Sequence, residues 1–530
     1  MAKPLVPPAA ASFVTALALT LGAAVFLTAC EQDTKDGGLA ITDVIADGDS
    51  AEDPDTSTGK LTIWFNEDIQ GLKAEDVKLT AAFIILKHGL TRTGPGVYEL
   101  AITPGASGKV NVGLDPYNPA GWKWKAKTVN VYAVYHFTGT TALTITRYNG
   151  SGGEIGVPEK IAGIPVTSVA ESAFYVKYLT GHLTGYLDIH DSIKFIGRLA
   201  FANNQLDGVS IPGGVRTIGN DAFTTNLLTD IKLSDGLDTI GDGAFSYNRL
   251  TKIDIPDSVT HIGRLAFASN QLTEVIINPD KVIFIGDGAF QNNQMSSFKF
   301  PNDIEIIRNS MFAYNQFESV EIPESIKNIG SRAFAGNKLK KVTFPEGIES
   351  IGSGAFAYNQ LKEIEFLFPE NVETIVIGDS AFENNFLTEV DIPENVTKIG
   401  RSVFANNQLT KIIIKGGVTS IGDSAFAYNE LVSITIEEGV AGEELTIIGS
   451  YAFRNNRLKE VVIPDTDNLY IGDYAFRNNP LISIKIGEKV SLGRDAFGDG
   501  FEAFYNANEK KAGVYTRLNA GSIEWEFSEP

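Results

Sequence analysis

One cysteine, five histidines and a shortage of positive charge set the first limits on this chain. Cys30 is the only thiol among 530 residues, so no intrachain disulfide can form and stability must come from packing and backbone ladders. His88, His136, His182, His190 and His261 are scattered, and none stands at the spacing of a metal-ligand pair. His182 and His190, in an irregular stretch, are the two that could meet. No glycine-rich phosphate loop and no Gly-x-Ser-x-Gly elbow is present. Lys and Arg total 44 against 65 Asp and Glu, giving a formal charge of -21. A chain without a basic face cannot neutralise a phosphate backbone, which excludes nucleic acid as a partner. Carboxylates are too abundant for any pair to stand out as an acid–base couple. These absences argue against an enzyme and leave no metal or cofactor to expect.

What is present begins with an address. Ala9 to Ala29 is apolar and uncharged, and ends in Leu27-Thr28-Ala29-Cys30, followed by Glu31-Gln32-Asp33. Residues 1–29 read as a bacterial secretion signal with a lipobox, whose cysteine takes a diacylglyceryl group and becomes the new N-terminus. An uncleaved membrane span competes with this reading, since about 20 apolar residues can cross a bilayer. Gly22, the missing basic flank and the placement of Cys30 favour cleavage. Lipidation at Cys30 then ties the chain to a membrane, on the outside of a bacterial cell, and residues 30–38 form a polar tether.

Residues 39–135 change texture. Runs such as Leu61-Thr-Ile-Trp-Phe65, Val97 to Ile102, Lys109 to Gly113 and Thr128 to Val134 alternate as strands do, and Gly94-Pro95-Gly96 and Pro104-Gly105 break them as turns. An immunoglobulin-like β-sandwich is expected. Trp64, Trp122 and Trp124 are expected to pack in its core or along its edges rather than to form a contact cluster. The stretch Ala81 to Leu86 fits a buried strand or a short helix equally well.

Most of the chain is a repeat. Phenylalanines 174, 201, 223, 245, 267 and onward to 497 recur with a dominant step of 22 residues. Each lies in the frame Ile-Gly-x-x-Ala-Phe-x-x-Asn-x-Leu-x-x-Ile-x-Ile-Pro, as in Ile262 to Leu272 and Ile421 to Leu431. The alternating run Leu387 to Ile392 places Val390 and Ile392 inward and Glu389 and Asp391 outward, and such strands should stack into a parallel sheet. Ala beside Phe leaves room for the ring to lie flat on the next coil. Asparagines such as 204, 270, 359 and 479 are placed to satisfy backbone groups of their own and the adjacent coil. The glycine after Ile marks a close backbone approach.

The repeat closely resembles the BspA-like, or treponemal-type, leucine-rich repeats of bacterial surface proteins. That resemblance covers residues 137 to 530 and implies a curved leucine-rich-repeat solenoid over 137–500 with a C-terminal cap over 501–530. Departures from the frame stand out: Arg308 replaces a glycine and Met311 an alanine, so that coil should be wider. Insertions at Leu367-Phe-Pro369 and Gly439 to Glu443 lengthen two others.

Outward strand positions have no common residue type, which suits recognition of a macromolecule. Glu363, Glu365, Glu389 and Asp391 form the sharpest cluster, a candidate contact for a basic segment or a calcium ion, with a solvated acidic face as the plainer reading. Ile276, Ile413 and Val462 are weaker candidates. The resemblance implies an adhesin-like, lipid-anchored protein with a protein or glycoprotein ligand; a periplasm-facing structural lipoprotein is the alternative.

Overall fold

The structure, a computed structural model, describes residues 41–46, 60–65, 72–74, 77–81, 85–94, 97–104, 108–114, 127–131, 135–150, 152–176, 181–367, 374–438, 444–466, 468–488, 490–498 and 500–529. The signal segment, Cys30, the tether, Trp122, Trp124 and the inserted residues 368–369 and 439–443 lie outside them. The chain divides into two compact units, Met1–Leu227 and Leu228–Pro530.

The first unit opens with seven strands: β1 (Ile41–Ala46), β2 (Lys60–Phe65), β3 (Val77–Thr80), β4 (Ile85–Gly94), β5 (Val97–Pro104), β6 (Gly108–Leu114) and β7 (Lys127–Val131). They form two antiparallel sheets, ordered β1-β2-β5-β4 and β3-β6-β7. Strict alternation in β2 turns Leu61, Ile63 and Phe65 into a core shared with Tyr98, Leu100, Val77 and Val112. Phe65 meets Tyr98 edge to face at 5.7 Å. Trp64 has the opposite parity, so it is half-buried on the other face of β2 and takes no part in that core. The undecided run before Leu86 resolves in its last two residues, which begin β4.

Two further strands lead into the repeats. β8 (Tyr135–Thr138) pairs antiparallel with β9 (Leu143–Tyr148), and β9 then runs parallel to Ile164–Val169, which in turn pairs with Phe195–Ile196 and that strand with Thr217–Ile218. Tyr148, fully inside, stacks on Phe174 at 5.4 Å and starts the column of rings that Phe201 and Phe223 continue at 4.9 and 5.2 Å.

In the second unit the longest ladder is not the one the alternating runs suggest. A nine-stranded parallel sheet is built from two-residue strands just ahead of the glycine, from Ile306–Ile307 through Asn328–Ile329 and Ser350–Ile351 to Ser491–Leu492. In nearly every one the second residue is buried and the first looks outward, as in Lys398–Ile399 and Tyr470–Ile471. The strands after Asn-x-Leu pair only locally: Lys252–Asp254 with Glu274–Ile276, Lys341–Phe344 with Glu363–Phe366, and Lys411–Ile414 with Ser433–Ile436. Over Glu389 to Ile392 the expected alternation holds in part, with Ile392 buried, Val390 half-buried and Glu389 and Asp391 exposed, but no strand forms. The ladder ahead of the glycine runs unbroken from Ile306 to Leu492, whereas the strands after Asn-x-Leu fall into separate short pairs.

After Phe497 the parallel pattern ends in a helix, α1 (Phe501–Ala507), and in strand Gly513–Thr516, which pairs antiparallel with Ser483–Ile486 and then with Glu526–Ser528. Phe501, Tyr505, Tyr515 and Trp525 are buried there against one another and the last ring of the column. Arg517, also buried, lays its guanidinium over Trp525 at 4.7 Å and donates to the Leu481 and Ser522 carbonyls.

Candidate ligand-binding surface

The surface is built outward from a scaffold that leaves little inward chemistry free. From Phe245 to Phe497 the rings form one stacked column; adjoining centroids are 5.6 Å apart for Phe245 and Phe267, 5.4 Å for Phe334 and Phe356, and 4.9 Å for Phe476 and Phe497, with interplanar angles of 6°, 14° and 3°. Alanine ahead of these rings, with Met311 and Val403 the exceptions, leaves room for the stacking.

Beside the rings runs the asparagine ladder. Asn270 donates through Nδ2 to the Phe267 carbonyl at 3.1 Å and to that of Phe245, one coil earlier, at 3.0 Å, while its Oδ1 accepts from the Leu250 N–H at 3.0 Å. The same set recurs at Asn315, Asn359, Asn407 and Asn429. These amides are buried and spent on the backbone, so none is available to a ligand. The glycines meet the previous coil as closely as their type allows: a Cβ on Gly352 would stand 2.6 Å from the Gly330 carbonyl carbon.

Arg308 tests that rule. Its coil is the one place in the unit where the two-residue ladder breaks, between Phe284–Ile285 and Ile306–Ile307. The Phe290 N–H to Met311 carbonyl bond stretches to 3.2 Å against 2.9 Å in the coils on either side, and the Phe290 and Phe312 rings stand 6.0 Å apart. The ring spacing hardly exceeds the 5.9 Å between Phe267 and Phe290, so the disturbance lies in the ladder, and the Arg308 guanidinium turns out over the Phe284 ring at 4.4 Å.

The outward positions divide into three zones. On the strand side, Glu363 and Glu365 flank buried Ile364, and Lys341 of the preceding coil bridges them at 2.8 and 3.0 Å, with Thr343 donating to Glu365 at 3.3 Å. The Lys341 hydrogen bond holds the Glu365 carboxyl below the usual carboxylate range, and Glu363 and Glu365 together raise Lys341. Glu389 and Asp391 sit one coil on, exposed. The four acids therefore share a face, but two of them already hold a lysine. Among the described residues no group of three His, Cys, Asp or Glu side chains is gathered as a metal would need. Lysine–glutamate pairs one coil apart recur at Lys252 and Glu274, Lys327 and Glu305, and Lys340 and Glu318. Residues 22 apart in the sequence carry that signal. Ile276, Ile413 and Val462 are exposed as their parity implies. His182 and His190 do not meet: His182 contacts the Asn203 carbonyl, and His190 lies by Glu159 and the Ser192 N–H.

The second zone is the first position of each two-residue strand, where Ile306, Val376, Ile447 and Tyr470 are exposed. A third was not visible in the sequence. The residue before each ladder asparagine has a left-handed backbone, and where most coils of the second unit use Asn, Ser or Gly, four place a tyrosine there: Tyr247, Tyr314, Tyr358 and Tyr428, at φ of 55°, 58°, 58° and 57°. They are 64%, 50%, 62% and 52% exposed. A non-glycine residue loses roughly 1–2 kcal/mol in that conformation.

A family profile described as the BspA type leucine-rich repeat region, in 6 copies, matches residues 167–295, 283–376 and 375–501. Among solved structures, the chain is similar to a leucine-rich repeat protein from Bacteroides ovatus, with 21% identity, a TM-score of 0.50, and coverage of 69% of this chain and 91% of that one. It is also similar to a leucine-rich cell surface protein from Faecalibacterium prausnitzii at 20% identity and TM-score 0.40, covering 68% and 93%, and to the pneumococcal vaccine antigen PcpA at 17% and 0.39, covering 68% and 96%. No curated protein sequence gives a significant match.

Proposed function

The chain belongs to the BspA-type leucine-rich repeat family, and on that premise we propose that it is an adhesin-like, lipid-anchored protein of a bacterial cell surface. Its repeat array binds a protein or glycoprotein. The observation that carries this reading is the division of labour within each coil: rings, ladder amides and most glycines are consumed by the scaffold, and the outward strand positions share no residue type. Such a surface offers area and pattern for recognition, and the role in this reading is binding and not catalysis. The apolar run ending in Leu27-Thr28-Ala29-Cys30 supports export and attachment through Cys30. Among the described residues no helix is long and apolar enough to cross a membrane.

The N-terminal seven strands are immunoglobulin-like in this reading. Their order, β1-β2-β5-β4 beside β3-β6-β7, follows the A-B-E-D and C-F-G arrangement of that sandwich. It would hold the array away from the anchor. Protease shaving of intact cells tests surface display: loss of the array from sealed cells is expected, and full protection would instead place the protein on the periplasmic side. Replacing Glu363, Glu365, Glu389 and Asp391 with Ser tests the acidic face. Weaker capture of the ligand is expected, and unchanged capture removes that face from the site.

A further inference from the structure

We infer that the edge of the array bearing Tyr314, Tyr358 and Tyr428 is a binding platform for a neutral polysaccharide. This rests on the reading of the array as a ligand-binding surface and names the class of ligand and the edge that takes it. Three observations meet there. First, the tyrosines occupy a left-handed position that neighbouring coils fill with Asn384, Asn406 or Gly336, so a bulky ring is held where a smaller residue fits the backbone better. Nothing in the core repays this, because the rings are half or more exposed.

Second, each ring stands on a fixed base. The N–H groups of Tyr314, Tyr358 and Tyr428 donate to carbonyls of the next coil at 2.7, 3.0 and 2.9 Å. Tyr314 also leans across Gly336, where a Cβ would lie 2.6 Å from its Cδ1. The coil between Tyr314 and Tyr358 is thus left without a side chain at this position. The rings flank it across coil steps of 5.5 and 5.4 Å, as measured on the phenylalanine column.

Third, the edge is poor in acid in a strongly acidic chain. From Tyr247 to Tyr428 this column contains no Asp or Glu, and the one two residues on, which includes Gln316, Gln360 and Gln408, holds Glu430 beside Tyr428, paired with Arg457 at 3.1 Å. It offers aromatic faces with primary amides between them. A pyranose ring presents an apolar C–H face to such a ring and hydroxyls to such amides. Spaced, repeated aromatics suit a polymer with a repeating unit better than a protein, whose binding centre needs a contiguous desolvated patch. An anionic polymer would meet Arg249 and Lys338 on this edge but no cation beside Tyr314, Tyr358 or Tyr428 at the position two residues on.

The test is affinity electrophoresis of the full chain through gels containing laminarin or mannan, with hyaluronan as the anionic control. Retardation by at least one neutral polysaccharide is expected, weakened about tenfold or more in Y314N/Y358N/Y428N. That variant installs the residue other coils use, so its thermal midpoint should be unchanged or higher. Y358F, which keeps the ring, should retain the retardation. No retardation in either neutral gel, retardation by hyaluronan alone, or retardation indifferent to the triple variant overturns the inference. If parent and triple variant capture the same protein ligand equally and neither binds glycan, the proposed function stands and this edge is not its site.

Discussion

Removing one rung of the asparagine ladder should destabilise its coil by an amount that the bond pattern fixes. Asn359 donates to the Phe334 and Phe356 carbonyls at 2.9 and 3.1 Å and accepts from the Leu339 N–H at 3.0 Å. In Asn359→Ala neither carbonyl is orphaned, because Asn337 still donates to Phe334 at 3.0 Å and Asn385 to Phe356 at 3.0 Å. The Leu339 N–H is left with no acceptor in a buried site, which costs roughly 1–3 kcal/mol, and thinning the two carbonyls adds something under 1 kcal/mol for each. A total of about 2–4 kcal/mol corresponds to a fall of roughly 30- to 1,000-fold in amide protection. In a repeat array coils couple mainly to neighbours, so the loss should centre on the Leu339 amide and fade within a few coils. Hydrogen exchange read by mass spectrometry on peptides spanning Phe334 to Leu361 checks this. If protection at Leu339 is unchanged, or if it falls equally across the whole array, the rung is not acting as the local acceptor described.

The glycine column should be selective. Gly352→Ala forces a Cβ against the Gly330 carbonyl carbon and should lower stability by roughly 1–3 kcal/mol, whereas Gly347→Ala, whose Cβ would meet nothing nearer than 3.5 Å, should be neutral or mildly stabilising in thermal denaturation. At alkaline pH the C-terminal segment should loosen. Burial pushes the Tyr505 hydroxyl, which donates to the Gly487 carbonyl at 2.8 Å, up to about 12. The folded state thus holds this proton more tightly than the unfolded one, so the stabilisation is whole below the ordinary value of 10.0 and is lost as pH climbs through about 12. Tyr505→Phe should abolish that step in near-ultraviolet circular dichroism. On the acidic side, Glu365 titrates low because of Lys341, so its contribution is present above the usual carboxylate range and vanishes as pH falls through the lowered value. Lys341→Met should return Glu365 to an ordinary titration by carboxyl NMR; an unmoved Glu365 would mean that the bridge does not persist in solution.

How far the sequence reached can be traced residue by residue. A 22-residue period states which side chains must face inward, because each coil sees the same neighbours; the phenylalanine column, the ladder amides and the close glycines were legible for that reason. Arg308, at a position reserved for glycine, marked the coil where the ladder breaks, although the ring column there is hardly wider than one step earlier. The acidic cluster was legible as a face but not as a partly neutralised one, because the Lys341 bridge joins side chains from successive coils. The sheet was misplaced. Alternation gave the outward direction of Glu389 and Asp391 and the inward one of Ile392, yet pairing depends on whether consecutive coils keep step, which no single run states. Two-residue strands such as Ile306–Ile307 are too short to show any period. The tyrosine edge was hidden for a different reason: a left-handed φ is a property of the turn, and nothing in Phe-x-Tyr-Asn as letters says that the tyrosine bears it.

That last point bears on what the array is for. A scaffold under selection for packing alone would fill a left-handed, exposed turn with Asn or Gly in every coil, and many coils do so at Asn292, Gly336, Asn384 and Asn406. Tyr247, Tyr314, Tyr358 and Tyr428 depart from that solution where the core gains nothing by it. Arg308 departs at a half-buried turn where the ladder breaks, as a substitution tolerated by the scaffold should. The tyrosines leave every neighbouring bond intact. Residues that strain their own backbone while preserving the scaffold around them are better explained by what they meet outside the protein than by what they do within it.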